Sequence, residues 1–418
     1  MSDRPSLWRP YSQMKTERPP VRVVSAEGVH LHTDDGAVLI DGISSWWTAC
    51  HGHRHPHIMA ALHRQLDVLP HVMLGGIVHP QAEQLAARLT AWCPGDLDHV
   101  FFSESGSVSV EIALKAAIQF HIHRGEAGRT RFVAFRGGYH GDTLGTMSVC
   151  DPEEGMHTLF SGAVAQQLIA DVPNTSARRD ALARAVAVHR HALAGVVIEP
   201  LVQGAGGMRF HDADTLVFLR QLCDDHGLLL IADEIMTGFG RLGHRLATAS
   251  AGVLPDLMTL SKALTGGTLP LAATLARRHV FDAFWSDDPE RALMHGPTYT
   301  GNALACAAAQ ASLDLFEQEP RLAQAQAIQG RMQDTLAVLR SVPGVVDVRC
   351  RGALGVVQLD RPADRDWWVD RFVARGVWLR PFRDVVYCAP PLVIETAELD
   401  HLLGVMVQVA RQWSRHER

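Results

Sequence analysis

Two short apolar runs in the middle of the chain each end in a residue able to do chemistry. Leu228 to Ala232 leads to Asp233 and Glu234, and Leu257 to Leu260 leads to Lys262, with Gly266 and Gly267 just beyond. Runs of this length, apolar at every position, predict buried parallel strands. In an open α/β sheet a ligand lies beyond the carboxyl ends of the strands, where both charges fall. A carboxylate and an amine held there suit pyridoxal 5'-phosphate (PLP), which takes an amine on its aldehyde and an acid against its ring nitrogen. From these two residues alone, a structural salt bridge between strand ends fits equally well.

A third feature belongs to the same layer. Phe101 and Phe102 close a predicted strand, a small-residue turn runs from Ser103 to Ser107, and a helix follows from Val108 with Ile112, Ala113, Ala116 and Ala117 on one side. The free N–H groups and dipole of a helix start favour a phosphate. An ordinary N-cap by Ser105 or Ser107 is the alternative. The run RGGYHGDT brings Tyr139, His140 and Asp142 to a glycine-rich turn, where an aromatic ring can lie flat on a heteroaromatic one, and a further buried strand ends at Glu199.

Other motifs invite chemistry and are set aside. His51, His53, His55 and His57 alternate, but Pro56 interrupts them and no carboxylate or cysteine accompanies them, so no metal is expected. Gly238, Gly240 and Gly243 spell the dinucleotide fingerprint, yet five residues separate it from the preceding strand and no convincing helix follows. Trp46 and Trp47 follow a predicted strand directly; neighbours on a strand face opposite ways, so at most one should face a given pocket.

The elements that must position these groups alternate between strands and helical segments, which predicts an α/β fold with a mainly parallel, doubly wound sheet. We expect residues 1–50 to join a small domain, 51–314 to form the large cofactor-binding domain, and 315–418 to form a C-terminal α+β domain. Composition fits a globular enzyme: 47% of the 418 residues are hydrophobic and 20% charged, and a net charge of −6 gives no nucleic-acid footprint. Seven scattered cysteines without a Cys-x-x-Cys argue for reduced thiols, no apolar run reaches the ~18 residues of a membrane span, and the N-terminus carries no apolar targeting core. A cytoplasmic protein is the expectation.

Taken together, D-E-x-x-T-G-F-G-R-x-G from Asp233 and S-K-A-L-T-G-G from Ser261, 29 positions apart from Asp233 to Lys262 (262 − 233), resemble the class III, or ω-, aminotransferases of PLP fold type I. The likeness extends over nearly the whole chain. The turn SGSVSVE departs from the form commonest in the class, Ser-Gly-Ser/Thr-Glu-Ala-Asn-Glu. With SSWW, RGGYHGDT, MHGPT, GVWLRPF and an early Pro-Tyr, it is similar to the branch that works in biotin synthesis. That branch implies transamination of 8-amino-7-oxononanoate with S-adenosylmethionine as amino donor. Ornithine, 4-aminobutyrate or a similar donor, or an aminomutase reaction, would share the same core residues. A non-catalytic binding protein is disfavoured by the intact Asp, Lys and phosphate turn.

The resemblance also implies roles. Lys262 would hold the cofactor and, once displaced, shuttle a proton; Asp233 would pair with the ring nitrogen; Tyr139 would stack on the ring. Gly106 and Ser107 would bind the phosphate, with Pro297 and Thr298 reaching it from the partner of a homodimer with shared sites. The substrate would lie against Tyr11, Trp46, Tyr139, Lys262, Gly296 and Arg380, with Arg380 gripping its carboxylate. Arg241 and Asp142 sit in matching motifs without an assigned role.

Overall fold

The computed structural model describes residues 5–153 and 158–416, so the first four residues of the charged N-terminal stretch lie outside it. Its first three strands, β1 (Val23–Glu27), β2 (His30–Thr33) and β3 (Val38–Asp41), form an antiparallel meander. Then come β4 (His99–Ser103), β5 (Arg131–Phe135), β6 (Leu168–Ala170) and β7 (Leu193–Ile198), the small hairpin β8 (Val202–Gln203) and β9 (Arg209–Phe210), and β10 (Leu229–Asp233), β11 (Leu257–Leu260) and β12 (Ala272–Ala276). Seven of these make the large sheet, in the order β4-β12-β11-β10-β7-β5-β6.

That sheet is parallel except for β12, which runs antiparallel to both β11 and β4. Strands β7, β10 and β11 are buried at every position because helices cover both faces, which is why they read as unbroken apolar runs. The topology carries the carboxyl ends of β4, β5, β7, β10 and β11 to one edge. The fold is the α/β type expected, but β12 was not anticipated: AATLA has little of the β-branched and aromatic character that marks strands.

The remaining strands are β13 (Val345–Arg351), β14 (Leu354–Leu359), β15 (Val377–Trp378) and β16 (Val385–Cys388). Strands β13, β14 and β16 form a three-stranded antiparallel sheet, while β15 leaves it and pairs in parallel with β3, Val377 opposite Ile40 and Trp378 opposite Asp41. A 21-residue helix, Thr396–His416, closes the chain and buries Leu399, Leu402, Leu403, Met406, Val409 and Trp413. Its apolar residues recur at three- and four-residue spacing, so the signal was there to read.

Two motifs resolve differently from a strand or a fingerprint. The residues around Gly238, Gly240 and Gly243 form a tight hairpin, with Phe239 N–H donating to Arg245 and Gly240 N–H to His244, and no helix begins there. The four alternating histidines disperse: His51 bonds Ser312, His53 bonds Asp41, His55 lies near Glu319 and His57 bonds Asp314.

Candidate active site

Each strand end at the common edge contributes a side chain. Asp233, the last residue of β10, is buried and accepts from three donors: His140 Nδ1 at 2.8 Å on one oxygen, Ile235 N–H at 3.1 Å and Thr259 Oγ1 at 3.3 Å on the other. Lys262 begins a short 3₁₀ turn after β11 and holds a left-handed backbone, φ 46°. Its Nζ lies 4.9 Å from the ring centre of Trp47. Burial pushes the amine below the ordinary lysine range, and the carboxylates of Asp233, Glu199 and Asp142 pull only partly the other way. A lysine so placed is a better nucleophile and base near neutrality.

The turn after β4 is a helix start. Ser105 caps the helix Gly106–His123 by accepting from Val108 N–H, which leaves the first N–H groups, at Gly106 and Ser107, without an intrahelical acceptor. The capping serine and the anion site thus coexist in one turn. A Cβ on Gly106 would stand 2.8 Å from Ile235 Cδ1, so a larger residue here would have to displace that side chain. Ser107 Oγ accepts from Asp142 N–H at 3.1 Å, which ties this turn to the one after β5.

Gly106, Ser107, Tyr139, Asp233, Lys262 and Trp47 line one cavity of about 170 Å³. Its donor set answers the three needs of PLP: an amine, a carboxylate for the ring nitrogen and backbone donors for a phosphate. The residues fit the group. Two residues that the sequence reading did not assign also line it. His140 is buried and bonds Asp233; burial works against its charged form, but that hydrogen bond and the charges of Asp233 and Glu199 raise it above the usual histidine range. Glu199, just past β7, accepts from Tyr139 N–H at 3.1 Å and Gly204 N–H at 2.8 Å, and burial pushes its carboxyl up to about 7 against the opposing charge of His140. The strand-end rule that singled out Asp233 applies equally to Glu199.

Trp47, Tyr139 and Lys262 also line a larger cavity of about 540 Å³, together with Tyr11, Trp46 and Arg380. Asp142 Oδ1 accepts from both Tyr11 (2.7 Å) and Tyr139 (2.9 Å), and Tyr11 Oη lies 3.3 Å from Tyr139 Oη. Burial raises both phenols, Tyr11 to about 12 and Tyr139 well beyond the usual range. Both tryptophans face this one cavity, which corrects the strand-based expectation. Ser44–Trp47 is a left-handed turn, φ 47°, 47°, 61° and 70°, and side chains on a helical turn do not alternate between faces as they do on a strand.

Arg380 follows β15 and stands 5.7 Å from the ring centre of Trp46. Burial and the neighbouring Arg365 lower its affinity for the proton, yet it makes no ion pair among the described residues. The obvious acid, Asp384, is bonded by Gln358 instead. Arg365 is itself engaged with Glu17, which also takes Arg9 at 3.3 Å. Arg241 proves structural: fully buried, it donates to Pro390 O at 2.8 Å and to Ser44 Oγ at 3.2 Å, and lines neither cavity. Gly296, Pro297 and Thr298 are likewise absent from both linings, with Thr298 exposed on a surface loop.

The family model for class III aminotransferases matches residues 11–410. The adenosylmethionine-8-amino-7-oxononanoate aminotransferase of Mycobacterium leprae (strain TN) is 45% identical over 417 residues, spanning 98% of this chain and 95% of that protein. Among solved structures, the enzyme of the same name from Methanocaldococcus jannaschii superposes with a TM-score of 0.93 at 31% identity, covering 98% of this chain and 97% of that one. A PLP-bound amine transaminase from an uncultivated Pseudomonas species gives a TM-score of 0.89, also at 31% identity, covering 98% and 99%. The cofactor groups gathered at the strand ends and this end-to-end likeness lead to one conclusion: the chain belongs to the class III aminotransferases.

Proposed function

We propose that the chain transfers an amino group from S-adenosylmethionine to 8-amino-7-oxononanoate, giving 7,8-diaminononanoate for biotin synthesis, with PLP as cofactor. The observation that carries the substrate choice is Arg380. It is a half-buried guanidinium without an ion-pair partner among the described residues, lining the cavity that also holds Lys262 and the aromatic rings of Tyr11, Trp46, Trp47 and Tyr139. A keto acid with its carboxylate at the distal end of an aliphatic chain needs that arrangement, because guanidinium grips a carboxylate bidentately while the aromatic wall takes the methylenes. The names of the 45%-identical relative and its kin point the same way.

When bound, PLP supplies the electron sink that stabilises charge at the reacting carbon. Lys262 Nζ would hold the cofactor and would serve as the base that takes up and returns a proton at the reacting carbon, with the Trp47 ring beside it at 4.9 Å. Asp233 holds a proton at the ring nitrogen, and His140 fixes the carboxylate that does so. Gly106 and Ser107 hold the phosphate through their N–H groups. Tyr139 covers the ring face and is held in place by Asp142. The 296–298 loop, exposed on this subunit, serves a second copy, with Thr298 completing the phosphate site across a homodimer. The division at about residues 50 and 314, and a cytoplasmic location, complete the reading; no helix among the described residues is long and apolar enough to cross a membrane.

Stopped-flow absorbance tests the donor. S-adenosylmethionine should bleach the cofactor band near ~420 nm, and 8-amino-7-oxononanoate added afterwards should restore it. Bleaching by glutamate and not by S-adenosylmethionine would make the chain a general amine transaminase like its 31%-identical structural neighbour.

A further inference from the structure

Four consecutive left-handed residues without glycine, Ser44 to Trp47, are costly, because each L-residue pays for a backbone that crowds its Cβ. Such a turn persists only if its surroundings impose it. The groups that impose it converge on Asp41, the last residue of β3 and fully buried. One carboxylate oxygen accepts from Ile43 N–H at 3.3 Å; the other accepts from Ser45 Oγ at 2.7 Å and meets His53 Nε2 at 2.9 Å. From the other side Ser44 Oγ donates to Ala389 O at 2.6 Å and receives Arg241.

Asp41 is also opposite Trp378 in the parallel pairing of β3 with β15, two residues before Arg380. Between the strands there is no slack: a Cβ on Gly42 would stand 2.6 Å from Leu379 Cδ2 and 3.1 Å from Trp378 O. The carboxyl ends of the two parallel strands therefore lead side by side, one into the tryptophan turn and the other into the carboxylate-binding arginine. We propose that Asp41, braced by His53, is a positioning residue for acceptor specificity. By holding the left-handed turn it fixes the distance and angle between the Trp46–Trp47 wall and Arg380, and so the length of aliphatic keto acid the cavity accepts. Neither Asp41 nor His53 lines the two cavities around Lys262. The inference rests on the proposed acceptor, and the test separates the two.

The test compares wild type, Asp41→Asn and the milder Ser45→Ala, each loaded with PLP. Asn keeps the shape at 41 but loses the charge that two of its donors use, and Ser45 is exposed, so its variant leaves the core intact. In Asp41→Asn the KM for 8-amino-7-oxononanoate should rise roughly ten- to a hundredfold, the size of a lost hydrogen bond to a charged group. Ser45→Ala should show a smaller rise in the same direction. In both, kcat should stay within about threefold of wild type, the band near ~420 nm should persist, and the preference between this acceptor and keto acids one or two methylenes shorter should flatten. A KM and chain-length preference unchanged in both variants would overturn the inference. So would equal losses of kcat and bound cofactor in Ser45→Ala, which would make the turn a general structural support. If the wild type itself failed to use 8-amino-7-oxononanoate, the functional reading and not this one would have failed first.

Discussion

At the scale of single residues, the site works by withholding partners. Arg380 is left over in a neighbourhood where the other charges are taken: Glu17 engages Arg9 and Arg365, and Asp384 engages Gln358. Replacing Arg380 by alanine should therefore cost the substrate carboxylate roughly 2–5 kcal/mol, or about 30- to 4,000-fold in affinity. KM for the keto acid should rise accordingly while the cofactor band stays. Glu199 is a different case, a buried carboxyl raised from its ordinary 4.5 to about 7 chiefly by burial. Its pKa is higher folded than unfolded, so the native state binds the extra proton between those values. Its contribution is neutral below about 4.5, and stability falls as pH rises through the window to about 7. The loss is on the order of 3 kcal/mol for a carboxyl raised from 4.5 to about 7. Melting curves of the cofactor-free protein across that range should slope downward, and the slope should flatten in Glu199→Gln. An unchanged slope in the variant would mean that Glu199 is ionised throughout.

At the scale of elements, what the sequence discloses is what local pattern decides. The ends of β10 and β11 and the helix after β4 follow from unbroken apolar runs and a small-residue turn; the helix begins at Gly106, two residues before the Val108 expected, because Ser105 caps it. The Ser44–Trp47 turn could not be read in that way. SSWW has no Gly or Asn to announce positive φ, and its conformation is imposed by Asp41, Arg241 and Ala389, two of them far off in the chain. His140 and Glu199 escaped for another reason: nothing in their own neighbourhood marks a histidine or an acid as facing Asp233 until the strands are laid side by side. Strand β12, built of alanines, owes its state to the two strands it lies between.

At the scale of the whole molecule, the proposed sharing of the cofactor site between two copies makes a definite prediction for mixed dimers. Thr298→Ala should weaken PLP retention, and Lys262→Ala should abolish transamination. General acid–base help alone is typically ~10²–10⁴-fold, and the covalent route is lost as well. Combined in one heterodimer, the two lesions fall in the same site and leave the other intact, so activity should return on mixing two inactive or weakened preparations. Mixing that restores nothing would confine Thr298 to its own subunit.

The parallel pairing of β3 with β15 also bears on how the chain is made. Ile40 and Val377 are partners 337 positions apart (377 − 40). At ~5–20 residues per second of synthesis, β3 leaves the ribosome roughly 17 to 70 seconds before its neighbour exists. An unpaired strand edge is a template for wrong partners, and the four-residue length of β3 with a charge at its end limits that hazard during the wait. The cofactor-binding edge of the large sheet is complete once β12 has emerged, whereas the tryptophan turn and Arg380 come into register only when the last tenth of the chain arrives. Vectorial synthesis thus separates the two halves of the site in time: a nascent chain acquires the groups for its cofactor well before it acquires the means to choose a substrate.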